Sequence, residues 1–250
     1  VTADITVLGN VKETLKLLLE FLKPNKHTAW HQEFKDLYKI EFDKIIKDEL
    51  HARNSELGMA EVIEEINNWT KGDAIIVSDV GQHQMVACRY AKFNSSRSNV
   101  TSGGLGTMGF ALPAAMGAKM GCPDREVVAI IGDGGFQMTI QELGTVFQTK
   151  IPIKIVVLNN GFLGMVRQWQ QMFFDKRYAS TEMVNPDFVA IARGYQIKSD
   201  KVSERSQLKN AIKEMMEANE PYFLEVIVEK ENNVFPMIPT GAAVSEIRLE

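Results

Sequence analysis

Two cysteines in 250 residues leave little material for a disulfide framework, and neither Cys88 nor Cys122 lies in a CxxC or other metal-type spacing. A reducing, cytoplasmic setting is expected. There is no basic excess either: 28 Lys and Arg stand against 32 Asp and Glu, a net charge of −4. That disfavours a general binder of phosphate backbones, so no nucleic acid partner is expected. No apolar run approaches the roughly 20 residues that cross a bilayer, so no membrane span is expected. The opening residues VTADITVLGN lack the basic start and apolar core of a signal peptide. A start at Val1 rather than Met fits a fragment or a processed product. What is present is ordinary: 45% hydrophobic and 24% charged residues, enough to build a globular core.

No internal repeat and no Pro/Ser-rich linker breaks the chain. Ile5-Thr6-Val7-Leu8 reads as a short strand, and Asn10 opens a helix with Val11, Leu15, Leu18, Leu19 and Leu22 at helical spacing before Pro24 stops it. Residues 33–50 place Phe34, Leu37, Tyr38, Ile45, Ile46 and Leu50 on one helical face. A further helix, with Ser55 as N-cap, carries Met59, Val62, Ile63, Ile66 and Trp69. From residue 73 onward an α/β rhythm begins. Apolar strands are expected at 74–77, 127–131, 153–158 and 223–228, with helices near 110–120, 138–149, 162–172, 186–193 and 204–218. Near-continuous Val/Ile strands separated by helices predict an α/β fold of three layers, a mostly parallel sheet with helices on both faces. Ligands of such sheets bind at the strand C-termini, so the polar residues there are the candidates.

Two of those ends carry chemistry. One strand closes on Gly132-Asp133-Gly134-Gly135, just before a helix. Glycines and a helix N-terminus open backbone N–H groups to an anion, but the Asp133 carboxylate would repel a phosphate. The combination makes sense with a cation between them, and Mg²⁺ or Ca²⁺ takes carboxylate, carbonyl and phosphate oxygens together. The next strand closes on Asn159-Asn160, with Asn160 27 residues beyond Asp133. A neutral amide oxygen there adds a ligand without adding negative charge. The plainer alternative is a helix cap at Asp133 and a turn at Asn159-Asn160.

GDG followed by NN at this spacing resembles the motif of the thiamin diphosphate (ThDP)-dependent enzymes. The stretches Gly81-Gln82-His83-Gln84-Met85, Thr101 to Gly109, Gly164-Met165-Val166-Arg167-Gln168-Trp169, Asn185-Pro186-Asp187-Phe188 and Val234-Phe235-Pro236-Met237 are similar to the C-terminal, diphosphate-binding domain of acetolactate (acetohydroxyacid) synthase catalytic subunits. The resemblance implies that Asp133, Asn160 and the backbone carbonyl of Phe162 hold Mg²⁺ on the diphosphate. It implies that Gln82, His83, Gly132, Gly134 and Gly135 lie against the cofactor, and that the Gly106 carbonyl meets the aminopyrimidine. Met108 would hold the cofactor bent, while Met165 and Trp169, four apart on one helix face, would wall the substrates. The implied reaction is decarboxylation of pyruvate and its carboligation to a second pyruvate or 2-oxobutanoate, a transferase step of branched-chain amino acid biosynthesis. FAD, a homodimer or tetramer and a small regulatory subunit belong to the same expectation. Residues 1–23 would be the tail of a central domain, 24–55 a helical linker and 56–250 the ThDP domain. The family's activating glutamate lies on a domain outside these residues, so the chain alone is expected to be inactive.

One competing pattern is present. Gly104-Leu105-Gly106-Thr107-Met108-Gly109 matches the dinucleotide fingerprint G-x-G-x-x-G. The fingerprint needs a strand immediately before the glycines, and none is expected between residue 77 and Gly104. His27 and His31 are four apart but lack a third ligand for zinc.

Overall fold

The computed structural model describes residues 2–51 and 56–249. The chain divides into two compact units, Val1–Glu41 and Phe42–Glu250. The first holds helices α1 (Val11–Phe21) and α2 (Thr28–Glu41). Asn10 caps α1 by accepting from the backbone of Lys12 at 3.0 Å and Glu13 at 3.4 Å. The apolar stripe of α1 forms as expected, but Val11, Leu15, Leu18, Leu19 and Leu22 are all exposed within the described chain. Ile5–Leu8 is not a strand. A strand exists through its neighbours' hydrogen bonds, and this segment pairs with no strand among the described residues.

The second unit opens with a π-turn (Phe42–Ile46) and the short α3 (Lys47–Leu50). Helix α4 runs Met59–Thr70. Ser55 lies outside the described residues; the start of α4 is secured instead by Glu61 Oε2, which accepts from the Gly58 backbone at 2.8 Å. Then follow β1 (Ile75–Ser78), α5 (Gln82–Tyr90), β2 (Asn99–Thr101), α6 (Ala111–Gly121), β3 (Val127–Gly132), α7 (Asp133–Thr139), a 3₁₀ turn at Ile140–Glu142, α8 (Leu143–Thr149), β4 (Lys154–Asn159), α9 (Gly164–Phe173), α10 (Phe188–Gly194), β5 (Lys198–Val202), α11 (Arg205–Glu217) and β6 (Tyr222–Ile227).

All six strands are parallel, in the order β2-β1-β3-β4-β6-β5. Strands β1, β3, β4 and β6 are buried on both faces, and their alternation divides the core in two. Ile76, Val128, Ile130, Val156, Leu158, Leu224 and Val226 face α4, α5 and α11. Ile75, Val77, Val127, Ala129, Ile131, Ile155, Val157 and Phe223 face α6, α7, α8 and α10. The three-layer α/β expectation holds.

The connection after β1 leads outward to β2, whereas the connection after β3 leads the other way, to β4. The chain therefore parts between the C-termini of β1 and β3, which are hydrogen-bonded neighbours. Open α/β sheets form their ligand crevice at such a switch point.

Candidate active site

A cleft enclosing about 600 Å³, including its solvent-open mouth, lies at that crevice. Its lining includes Gly81, Gln82 and His83 after β1, Gly132 to Gly135 from the last residue of β3 onward, and Asn160, Phe162, Leu163 and Met165 after β4. Gly106 and Met108 join it from the turn before α6, and Met59 from the start of α4.

Gly81 makes the sharp entry to α5 at φ +148°, and a Cβ there would stand 2.7 Å from His83 Cε1. A Cβ on Gly132 would meet His83 Nδ1 at the same distance, so two glycines make room for one imidazole. The ring is buried, and burial pushes its pKa down to about 4 against the pull of Asp79. His83 is thus neutral at physiological pH. Among the described residues nothing lies within hydrogen-bonding reach of its Nε2. A buried nitrogen left without a partner costs about 1–3 kcal/mol, so it marks a place for a polar ligand.

Asp133 begins α7 and is 1% exposed. Its Oδ2 accepts from Gly161 N at 3.1 Å and Asn185 Nδ2 at 2.7 Å. Burial raises its pKa above the usual carboxylate range, and the hydrogen bonds from Asn185, Gly134 and Gly161 pull it back. Asn160, also buried, presents Oδ1 to Phe162 N at 3.2 Å. The carboxylate of Asp133 therefore bonds the peptide next to Asn160, and both residues line one cleft.

Three parts of the site were not assigned roles from sequence. Asn185 bridges Asp133 and Asn159, donating to Asn159 Oδ1 at 3.0 Å and accepting from Gln137 at 2.8 Å. Asp79, fully buried, accepts from Val80, Gly109 and Ala111 backbone N–H groups at 2.9–3.0 Å and so holds the glycine-rich turn beside β1. Gln168 donates to Val234 O at 3.0 Å and accepts from Gln82 at 2.9 Å. Asn185 and Gln168 lie in motifs quoted above, but spacing alone does not reveal what their side chains touch.

Trp169 does not line the cleft; its ring packs on Phe173 with centroids 4.9 Å apart. Met165, one turn earlier, does line it. The Gln82 amide bonds Gln168 and Asn232 O, each at 2.9 Å, so it is turned into the protein. The expectation that no strand precedes the glycine fingerprint is corrected: β2 ends at Thr101. As a three-residue edge strand, β2 carries no apolar run that would mark it in the sequence. The fingerprint still fails, since its glycines should open a helix and α6 starts only at Ala111.

Among the described residues no three His, Cys, Asp or Glu side chains converge to hold a metal. A hard divalent ion at Asp133 would have to complete its shell with amide, carbonyl and ligand oxygens, and Asn160 with a phosphate supplies these. The residues present fit an ion-bridged diphosphate: a single buried carboxylate, an adjoining amide, an unpartnered imidazole nitrogen and the N-terminus of α5.

A parallel sheet with this equipment at its switch point defines a diphosphate-binding α/β domain. Residues 79–226 match the model of the thiamine pyrophosphate enzyme C-terminal TPP binding domain, and the chain belongs to that family. It is 40% identical over 254 residues to an acetolactate synthase large subunit of Lactococcus lactis, covering 99% of this chain and 42% of that protein. Against the acetolactate synthase isozyme 3 large subunit of Escherichia coli it is 39% identical, covering 100% of this chain and 44% of the relative. Acetolactate synthase 2 of Zea mays, chloroplastic, is 42% identical over 233 residues, covering 89% and 35%. The chain spans about two fifths of the length of these relatives.

Proposed function

We propose that this chain is the diphosphate-binding part of an acetolactate synthase, which decarboxylates pyruvate and joins it to a second pyruvate or 2-oxobutanoate in branched-chain amino acid biosynthesis. The observation that carries the reading is the meeting of Asp133 and Asn160 at one cleft through the peptide of Gly161. Sequence identity of about 40% to large subunits of that enzyme supports the choice of reaction. Residues 1–23 would then be the end of a preceding domain and 24–55 a linker. FAD, a second catalytic subunit and a small regulatory subunit belong to the assembled enzyme.

Asp133, Asn160 and the Phe162 carbonyl would hold Mg²⁺, and His83 with the first turn of α5 would meet the diphosphate. Bound there, ThDP would supply the electron sink for loss of CO₂ from a 2-keto acid. Gly106 would offer its carbonyl to the aminopyrimidine, and glycine suits that turn because φ is +65°. Met108, half-buried in the cleft wall, would support the bent cofactor. Leu163, Met165 and Val166 add apolar groups to the cleft lining, which would lower the local dielectric around a bound cofactor. Trp169 would act on the substrate pocket from behind Met165.

Titration calorimetry of ThDP tests the reading. Binding should require Mg²⁺ and should vanish in Asp133→Ala; an affinity indifferent to both would overturn it. No glutamate stands among the described lining residues, so the 250-residue chain should form no acetolactate from pyruvate. Turnover by the purified chain would require a base within it.

A further inference from the structure

A carboxamide has one end that suits a cation and one that repels it. For Asn160 to ligate, Oδ1 must face the cleft and Nδ2 must be held away. The structure contains a chain of amides that makes this choice, and it starts at backbone groups whose polarity is not in doubt.

Gln168 is 1% exposed and sits on α9 outside the cleft lining. Its Oε1 accepts from the Val234 backbone N–H at 3.0 Å, and its Nε2 donates to the Val234 carbonyl at 3.0 Å. A backbone N–H only donates and a carbonyl only accepts, so this pair fixes which end of Gln168 is oxygen. That oxygen also accepts from Gln82 Nε2 at 2.9 Å, and Gln82 Nε2 donates again to Asn232 O at 2.9 Å. Gln82 is thereby fixed in turn, with Oε1 toward Asn160 Nδ2 at 3.5 Å, a long hydrogen bond. Phe162 N, donating to Asn160 Oδ1 at 3.2 Å, agrees with the same orientation.

We propose that Gln168 is a positioning residue for the cation site: residues 232–234 act through Gln168 and Gln82 to turn the Asn160 oxygen toward the ion. The inference rests on the reading of Asp133 and Asn160 as the metal ligands. It makes ion affinity depend on a segment that supplies no ligand and lies 150 residues from Gln82 in sequence.

The test uses the full chain with saturating ThDP and Mn²⁺ as the probe, its free fraction read by electron paramagnetic resonance. Gln168→Met should weaken Mn²⁺ about 10- to 100-fold, the range for residues that orient a metal ligand. Asn160→Asp gives the position two oxygens, so orientation no longer matters. In that background Gln168→Met should change Mn²⁺ affinity by no more than about twofold, the scatter of uncoupled sites. Should Gln168→Met fail to fold, Gln82→Met cuts the relay one link later and is read in the same two backgrounds. Equal losses in both backgrounds would show a packing defect and overturn the proposal, as would unchanged affinity in a folded variant. Failure of the unaltered chain itself to hold Mn²⁺ with ThDP would instead overturn the metal reading, and the relay with it.

Discussion

Asp79 and Asp133 follow neighbouring strands, yet their carboxylates have different surroundings. Asp79 accepts from three backbone N–H groups and stands outside the cleft lining, whereas Asp133 accepts from the Asn185 side chain as well as from backbone and lines the cleft. Removing the Asn185 amide should therefore be felt at the ion rather than across the fold. Asn185→Ala is expected to weaken Mg²⁺ in ThDP-supported binding about 10- to 100-fold, measured by calorimetry at fixed ThDP. His83 gives a second outcome at this scale. Its folded pKa of about 4 lies below the unfolded 6.5, so the fold favours the neutral ring. That contribution is complete above pH 6.5 and is lost as pH falls toward 4, by up to about 3 kcal/mol at 1.36 kcal/mol per unit. Asp133, raised by burial, shifts stability in the opposite sense on acidification. Urea midpoints at pH 7.5 and 4.5 should thus fall less in His83→Asn than in the unaltered chain. Asp133 and Asn160 could be singled out because each places a ligating group at a strand end, whereas His83 was singled out only through the resemblance of its motif; all three line the cleft. Asp79, Gln168 and Asn185 were not assigned roles, since their meaning lies in partners 30 to 86 residues away.

Among the strands, legibility followed burial. The four central strands announce themselves as apolar runs because both their faces are covered. The edges do not: β2 has three residues, and β5 reads Lys198-Ser199-Asp200-Lys201-Val202. Charge on an edge strand is what keeps it from pairing with another chain, so the feature that protects β5 also hides it. Ile5–Leu8 shows the converse, an apolar run that forms no strand among the described residues. Helices α4 and α11 are joined at their N-termini by Arg205, whose Nε lies 2.6 Å from Glu61 Oε1 and whose second nitrogen lies 3.1 Å from Oε2. Glu61 also accepts from Gly58 N, so one side chain closes a cap and a bidentate ion pair. Glu61→Ala should lower stability by about 1–2 kcal/mol, less than a buried pair would because Arg205 is partly exposed. A urea midpoint equal to that of the unaltered chain would show that neither contact contributes.

At the scale of the whole molecule the question is which residues the fold and the site need. Both halves of the hydrophobic core are drawn from residues 46–234, and every cleft-lining residue falls between Met59 and Val166. All six strands and the relay through Gln168 to Val234 also belong to the unit Phe42–Glu250. The unit Val1–Glu41 has no buried residue in either of its helices. Folding stability follows the apolar area withdrawn from water, at about 25 cal/mol per Å², and helices that bury no side chain add little to it. A chain of residues 42–250 should accordingly melt within about 2–4 °C of the full chain, the shift that about 1 kcal/mol produces in a domain of this size. It should also bind ThDP with Mg²⁺ at unchanged affinity. Circular dichroism and calorimetry on the two chains decide it. A large drop in melting temperature, or loss of ThDP binding, would mean that the first 41 residues stabilise a part of the second unit.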